Sequence, residues 1–143
     1  LSGMKEGDVA GFSAFNSDSA VLGVEMKDGA KTLVLTEESV RLHPHNKAVL
    51  DVKKKVVAEV PLKKDRIWLR IDADFRPGDT RDIAKFWYSL DGKEWTRIGD
   101  DYRMRFDWQR FFMGTKFAIF NYATREAGGY VDVDWFDYRK INN

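Results

Sequence analysis

The sequence predicts an all-β fold, and three observations carry that prediction. Aromatic residues make up 14% of the chain, with 5 Trp, 5 Tyr and 10 Phe, and aromatic side chains favour strands. Short apolar runs alternate with turn signals at the close spacing of an antiparallel sandwich or barrel, giving roughly ten strands. No stretch carries a convincing apolar stripe of helical period. At 143 residues the chain is the size of one domain, so residues 1–143 read as a single β-sandwich unit without linker or internal repeat.

Taken in order, Val9 to Phe15 is a strand of small residues, and Asn16-Ser17-Asp18-Ser19 turns the chain. Ala20 to Lys27 follows, and Lys27-Asp28-Gly29 makes a hairpin into Lys31 to Thr36, because Asp-Gly tolerates the positive φ such turns need. Ser39 to Leu42 reads as a separate strand ended by His43-Pro44-His45-Asn46. Val49 to Val60 is strand-like only in its second half, and Lys53-Lys54-Lys55 reads as a solvated charge run. Arg66 to Phe75 alternates strictly, with Ile67, Leu69, Ile71 and Ala73 on one face and Trp68, Arg70, Asp72 and Asp74 on the other. Arg76-Pro77-Gly78-Asp79 is a turn, Ile83 to Ser89 a strand, and Leu90-Asp91-Gly92-Lys93 folds it back into Glu94 to Ile98. Asp107 to Phe112 suits one helical turn. Lys116 to Tyr122 and Tyr130 to Arg139 are the last two strands, joined through Ala127-Gly128-Gly129.

Composition removes several functions. Lys plus Arg number 24 and Asp plus Glu 23, a net charge of +1, which gives no reason to expect nucleic acid or an anionic membrane surface as partner. No apolar run approaches the roughly 18–20 residues of a membrane helix. The absence of Cys removes disulfides, thiolate metal sites and Cys nucleophiles together. The opening Leu1-Ser2-Gly3-Met4-Lys5-Glu6 has neither the basic start nor the apolar core of a signal peptide, and the chain reads as a piece of something longer.

Catalytic motifs are missing. No Gly-rich loop precedes a helix, and no carboxylate pair is singled out for glycosidic chemistry. His43 and His45 flank Pro44 in a turn and read as surface residues. Asp132 and Asp134 lie two apart and share a side; they are the candidate ligands for a structural calcium ion, which takes six to eight oxygens. The informative constellation is one strand face. If the two strands pair, Trp68, Arg70 and Asp72 join Lys85 and Trp87 on an open surface. Indole rings stack on the apolar faces of sugars while charged side chains take the hydroxyls. Tyr122 and Tyr130, flanking the Gly-Gly loop, form a second candidate carbohydrate-binding group.

The run Phe86-Trp87-Tyr88-Ser89-Leu90-Asp91-Gly92-Lys93-Glu94-Trp95 has the form F-x-Y-S-x-D-G-x-x-W. It is followed by Phe112-Met113-Gly114-Thr115-Lys116-Phe117-Ala118-Ile119-Phe120-Asn121 and by Gly128-Gly129-Tyr130-Val131-Asp132-Val133-Asp134-Trp135-Phe136. With Ser2 to Phe12, containing Glu6-Gly7-Asp8-Val9-Ala10-Gly11, this order resembles the C-terminal β-sandwich of family-43 glycoside hydrolases, the β-xylosidase and α-L-arabinofuranosidase group. The resemblance implies a concanavalin A-like jelly roll of two antiparallel sheets. It also implies a catalytic five-bladed propeller as partner, a xylan-like polysaccharide as ligand, and Phe86, Tyr88, Trp95 and Phe136 at core positions. The stretch that precedes the Glu6–Gly11 strand in the family is nearly absent, so one sheet is expected to lack a strand and show an open edge.

The expected function is therefore that of a non-catalytic, carbohydrate-binding accessory module of an extracellular or periplasmic xylan- or arabinoxylan-degrading enzyme. Two alternatives stand beside it. A lipocalin-like carrier suits the length, but Arg70 and Asp72 alternate with core where a barrel lumen wants apolar side chains. A sandwich-fold glycosidase of the laminarinase kind needs an E-x-D-x-x-E run, and none occurs.

Overall fold

The computed structural model describes residues 1–76 and 82–141. Within them, eight strands form two antiparallel sheets. They are β1 (Asp8–Phe15), β2 (Asp18–Lys27), β3 (Ala30–Leu42), β4 (Val49–Leu62), β5 (Trp68–Asp74), β6 (Ile83–Ser89), β7 (Thr96–Arg103) and β8 (Lys116–Ala123). One sheet has five strands in the order β4-β3-β2-β1-β8 and the other three in the order β5-β6-β7. The two-sheet sandwich expected from the sequence is the observed architecture, and among the described residues no helix is present.

The hairpins follow their turn chemistry. β2 passes to β3 through Asp28 and Gly29, both at positive φ (53° and 72°), the backbone that matches the right-handed strand twist. Glu6 accepts hydrogen bonds from the amides of both residues, at 2.9 and 3.2 Å. Between β6 and β7, the Asp91 carboxylate accepts from the amides of Lys93 and Glu94 at 2.8 and 2.9 Å. Gly92 there sits at φ 74°, and the Trp68 ring stands 3.0 Å from where a Cβ would be, so both backbone and space favour glycine.

The core lies between the sheets. Leu22, Leu33, Leu35, Val24, Ala14 and Ala20 of the large sheet meet Ala84, Phe86 and Ile98 of the small one. Ile67, Leu69, Ile71 and Ala73 pack against this cluster, as their alternation predicts. Three strands do not cover five. β5 faces β1 and β7 faces β4, so among the described residues the inward row of β8 is the least covered part of the large sheet. Ile119 is exposed there, while Phe117 meets Phe12 and Phe75 at ring separations of 5.9 and 6.0 Å.

Several expectations are corrected. Lys31–Thr36 and Ser39–Leu42 are one strand, β3, and its partner β4 is continuous from Val49, with register shifts at Leu35/Thr36 and Arg41/Leu42 absorbing the irregularity. Lys53-Lys54-Lys55 is solvated as expected but lies within that strand, and two of its ammonium groups pair with Glu38 and Glu37 at 2.9 and 3.9 Å. Asp107–Phe112 is a capped turn rather than a helical one. Tyr130–Arg139 joins no ladder; its backbone meets the rest of the chain where the Tyr130 N–H donates to the Gly3 carbonyl at 3.0 Å. Trp95 is half-buried with Arg70 on its ring, and Phe136 is exposed with one edge on Phe12; neither is core. Of the turn expected at Arg76-Pro77-Gly78-Asp79, Pro77, Gly78 and Asp79 lie outside the described residues.

Candidate functional site

The strand pairing places the first predicted group on the outer face of the small sheet. Arg70 stands opposite Trp87, Asp72 opposite Lys85, and Trp68 opposite Ser89. The indoles are not open, however. The Arg97 guanidinium lies 5.4 Å over the Trp87 ring and binds Asp101 at 2.6 Å. Arg66 lies 6.0 Å over Trp68, and Arg70 lies 5.7 Å over Trp95 while holding Asp72 at 2.7 Å. Each cation–π contact contributes about 0.5–2 kcal/mol. A sugar stacking on Trp87 must first displace Arg97, and the Trp87 Nε1–H is buried without an acceptor.

The second predicted pair separates. Tyr122 lies on the outer face of the large sheet, in a trough with Val9, Glu25 and Lys54. Tyr130 packs its ring on Gly3 and donates its backbone N–H to the Gly3 carbonyl at 3.0 Å.

Asp132 and Asp134 are exposed in the segment without ladder partners. The Asp134 carboxylate is taken by Arg66 at 2.8 Å, and among the described residues no group of three or more acidic or histidine side chains converges. To join backbone carbonyls around an ion that takes six to eight oxygens, Asp134 has to leave Arg66. Adding calcium or a chelator is expected to leave the thermal midpoint unchanged, which a melting curve checks.

Sequence reasoning missed a different feature at one end of the sandwich. The β1–β2 turn and the segment after β7 hold each other through buried polar groups. The Asn16 amide donates to the carbonyls of Arg105 and Met113 at 3.0 and 3.1 Å. Asp107, 6% exposed, accepts from the amides of Gln109, Arg110 and Phe111 at 3.0, 2.8 and 3.3 Å. Arg110 bridges Asp107 at 3.3 Å and Asp18 at 3.1 Å and donates to the Val40 carbonyl at 2.6 Å. Burial opposes ionisation of Asp107 and Asp18. The hydrogen bonds they accept, from Ser17 and amides for Asp107 and from Ser39 and Arg110 for Asp18, outweigh it and hold both carboxyls below the usual range.

That network fixes a loop whose rings face outward. Trp108 is 71% and Phe112 68% exposed, with Phe106 and Phe111 also exposed. Phe106, Trp108 and Phe112 form a trio with centroids 4.5 to 5.6 Å apart. Phe112 sits at φ 49°, a left-handed backbone that is costly for a bulky residue and is kept only where the surroundings enforce it. Beside the trio opens a cleft of about 210 Å³ lined by Asn16, Asp18, Arg105, Gln109 and Arg110 among others. Contiguous exposed aromatic surface of this kind marks an interaction site. The available signal was four aromatics within seven residues in a segment without strand alternation.

Fold and surface define a class: a two-sheet antiparallel sandwich presenting an aromatic end. The profile of the family described as Beta xylosidase C-terminal Concanavalin A-like domain matches residues 1–139, and the chain belongs to that family, the accessory C-terminal domains of family-43 glycoside hydrolases. It is 28% identical over 138 residues to a Beta-xylosidase of Formosa agariphila, covering 96% of this chain and 20% of that protein. It superposes with TM-score 0.75 and 32% identity on a solved family-43 glycoside hydrolase engineered to display both endo-xylanase and exo-arabinofuranosidase activity, over 89% of this chain and 25% of that one. A bifunctional GH43-CE protein of Bacteroides eggerthii gives TM-score 0.73 and 37% identity, over 90% of this chain and 15% of that one. The chain thus spans about a fifth of the length of the curated relative it matches.

Proposed function

We propose that this domain serves an exported enzyme acting on xylan-type polysaccharides, packing its Phe106–Phe112 end against the catalytic propeller and adding the adjoining cleft to the substrate entrance. The observation that carries the reading is the exposed Phe106–Trp108–Phe112 trio held by Asp107, Arg110 and Asn16. A rigid aromatic cluster suits an interface, because its rings lose little conformational entropy on burial. Asp18, Arg105 and Gln109 beside it supply donors and acceptors for sugar hydroxyls. The names of the Formosa relative and of the engineered homologue support the substrate class.

The test is a chimera in which this chain replaces the matching fifth of the Formosa agariphila β-xylosidase. The chimera is expected to retain β-xylosidase activity, with Trp108→Ala and Phe112→Ala each lowering kcat/KM by about tenfold, the effect of losing about 1.4 kcal/mol at the interface. A folded but inactive chimera, or one indifferent to both substitutions, overturns the reading.

A further inference from the structure

The outer face of the five-stranded sheet carries chemistry that the aromatic end does not use. Cross-strand register sets two rows of side chains over it: Glu59, Val34, Gly23, Gly11 and Phe120, then Pro61, Thr32, Glu25, Val9 and Tyr122. Gly11 and Gly23 stand opposite each other at the centre, and the Phe120 ring lies against Gly23. Strands spaced by about 4.8 Å would hold β4 and β8, the two edges, about 19 Å apart in a flat sheet. Yet Lys54 of β4 and Tyr122 of β8 line one trough of about 90 Å³. The sheet therefore curls toward this face, and its two edges form the walls. Glu38 binds the Lys54 ammonium at 2.9 Å and, with Tyr122 and Glu25 adding to its field, holds it above the usual lysine range.

From this arrangement we infer that the curled face binds the interior of a neutral glycan chain, seated on Tyr122 and hydrogen-bonded by Glu25, Glu38 and Lys54. The inference rests on the xylan-type substrate proposed above, but uses a surface remote in register from the Phe106–Phe112 loop. Val9, Val21 and Val34 give an apolar floor, Phe120 and Tyr122 stand 5.9 Å apart at an interplanar angle of 32° as one wall, and charged groups rim it. Sugars present the complementary pattern of apolar faces edged by hydroxyls. Two magnitudes narrow the ligand. The trough is far smaller than the roughly 300 Å³ of an enclosing small-molecule pocket, so affinity comes from a chain lying across the face and not from one captured sugar. Among the residues that line the trough, Glu25 and Glu38 stand against Lys54, so chains bearing uronic acids are disfavoured.

Affinity electrophoresis of this chain in gels cast with arabinoxylan, glucuronoxylan, laminarin or no polysaccharide tests the site. Retardation is expected in arabinoxylan and less in glucuronoxylan. Tyr122→Ala is expected to weaken it about tenfold, in the range of aromatic stacking on a flat ligand, and Glu25→Gln to weaken it less. Free xylose is expected not to compete, and Trp87→Ala to change nothing. Both binding variants alter exposed or half-exposed side chains, and a melting curve confirms that each is folded. Retardation unchanged in both variants, competition by xylose, stronger retardation in glucuronoxylan, or no retardation in any gel overturns the site. The chimera reports separately on the catalytic partner: a working chimera with no retardation sinks this site alone, and an inactive chimera with Tyr122-dependent retardation sinks only the docking.

Discussion

Phe86→Ala is expected to cost about 3–5 kcal/mol, the largest effect of any single substitution considered. Phe86 is fully buried at the centre of β6, the middle strand of the small sheet, opposite Ile71 on one side and Ile98 on the other. Its ring fills the space between the sheets where Leu22, Leu33 and Leu35 point. No neighbour can collapse into the void, because the backbones on both sides are fixed by ladders. Against a typical stability of about 5–15 kcal/mol, the loss takes a large share, and the denaturant midpoint should fall with little change in slope. Phe86→Leu, which keeps most of the volume, should cost roughly 1–1.5 kcal/mol.

Asp107→Ala is expected to cost about 2–3 kcal/mol, since it removes a cap and leaves up to three amide donors without their acceptor. Its functional effect should exceed its thermal one, because Trp108 and Phe112 lose their fixed positions. Acid gives a second handle. A carboxyl whose folded-state pKa lies below the unfolded value of about 3.9 stabilises the fold fully above that pH, and the contribution disappears as pH falls through the folded value. Both Asp107 and Asp18 are lowered in this sense. Stability of the wild type should therefore drop more steeply below about pH 4 than that of Asp107→Asn, as unfolding curves between pH 6 and pH 2.5 would record. Parallel curves would mean that Asp107 titrates alike in both states.

Legibility in the sequence tracked the range of the forces involved. The Asp28-Gly29 hairpin and the alternation of Ile67 to Asp74 were readable because local backbone preference and a one-sided core dictate them. The pairing of Arg70 with Trp87 followed once β5 and β6 were adjacent. What covers the Trp87 ring was missed although it is near in the chain: Arg97 stands directly opposite Trp87 across the predicted hairpin, but the turn residues alone did not fix that register. The loop at Asp107 failed for a different reason, since it is fastened by Asn16, some ninety residues away in the chain. Tyr130 to Arg139 misled in the opposite way. Its alternation is that of a strand, but a ladder needs a run of backbone bonds, and the segment meets a second backbone at Tyr130 N–H and the Gly3 carbonyl without continuing as a ladder.

The short small sheet also governs how the domain behaves as a colloid. β5 ends that sheet with its backbone groups directed sideways, and beside it Phe75, Ile119 and Phe136 present apolar area to water. Such an edge is a template for intermolecular pairing. A net charge of +1 provides almost no long-range repulsion to keep two copies apart. Short-range contact then decides the outcome, so added salt, which tightens apolar association and screens the little charge there is, should hasten clouding of concentrated samples, while arginine-rich or mildly acidic buffers should keep them clear.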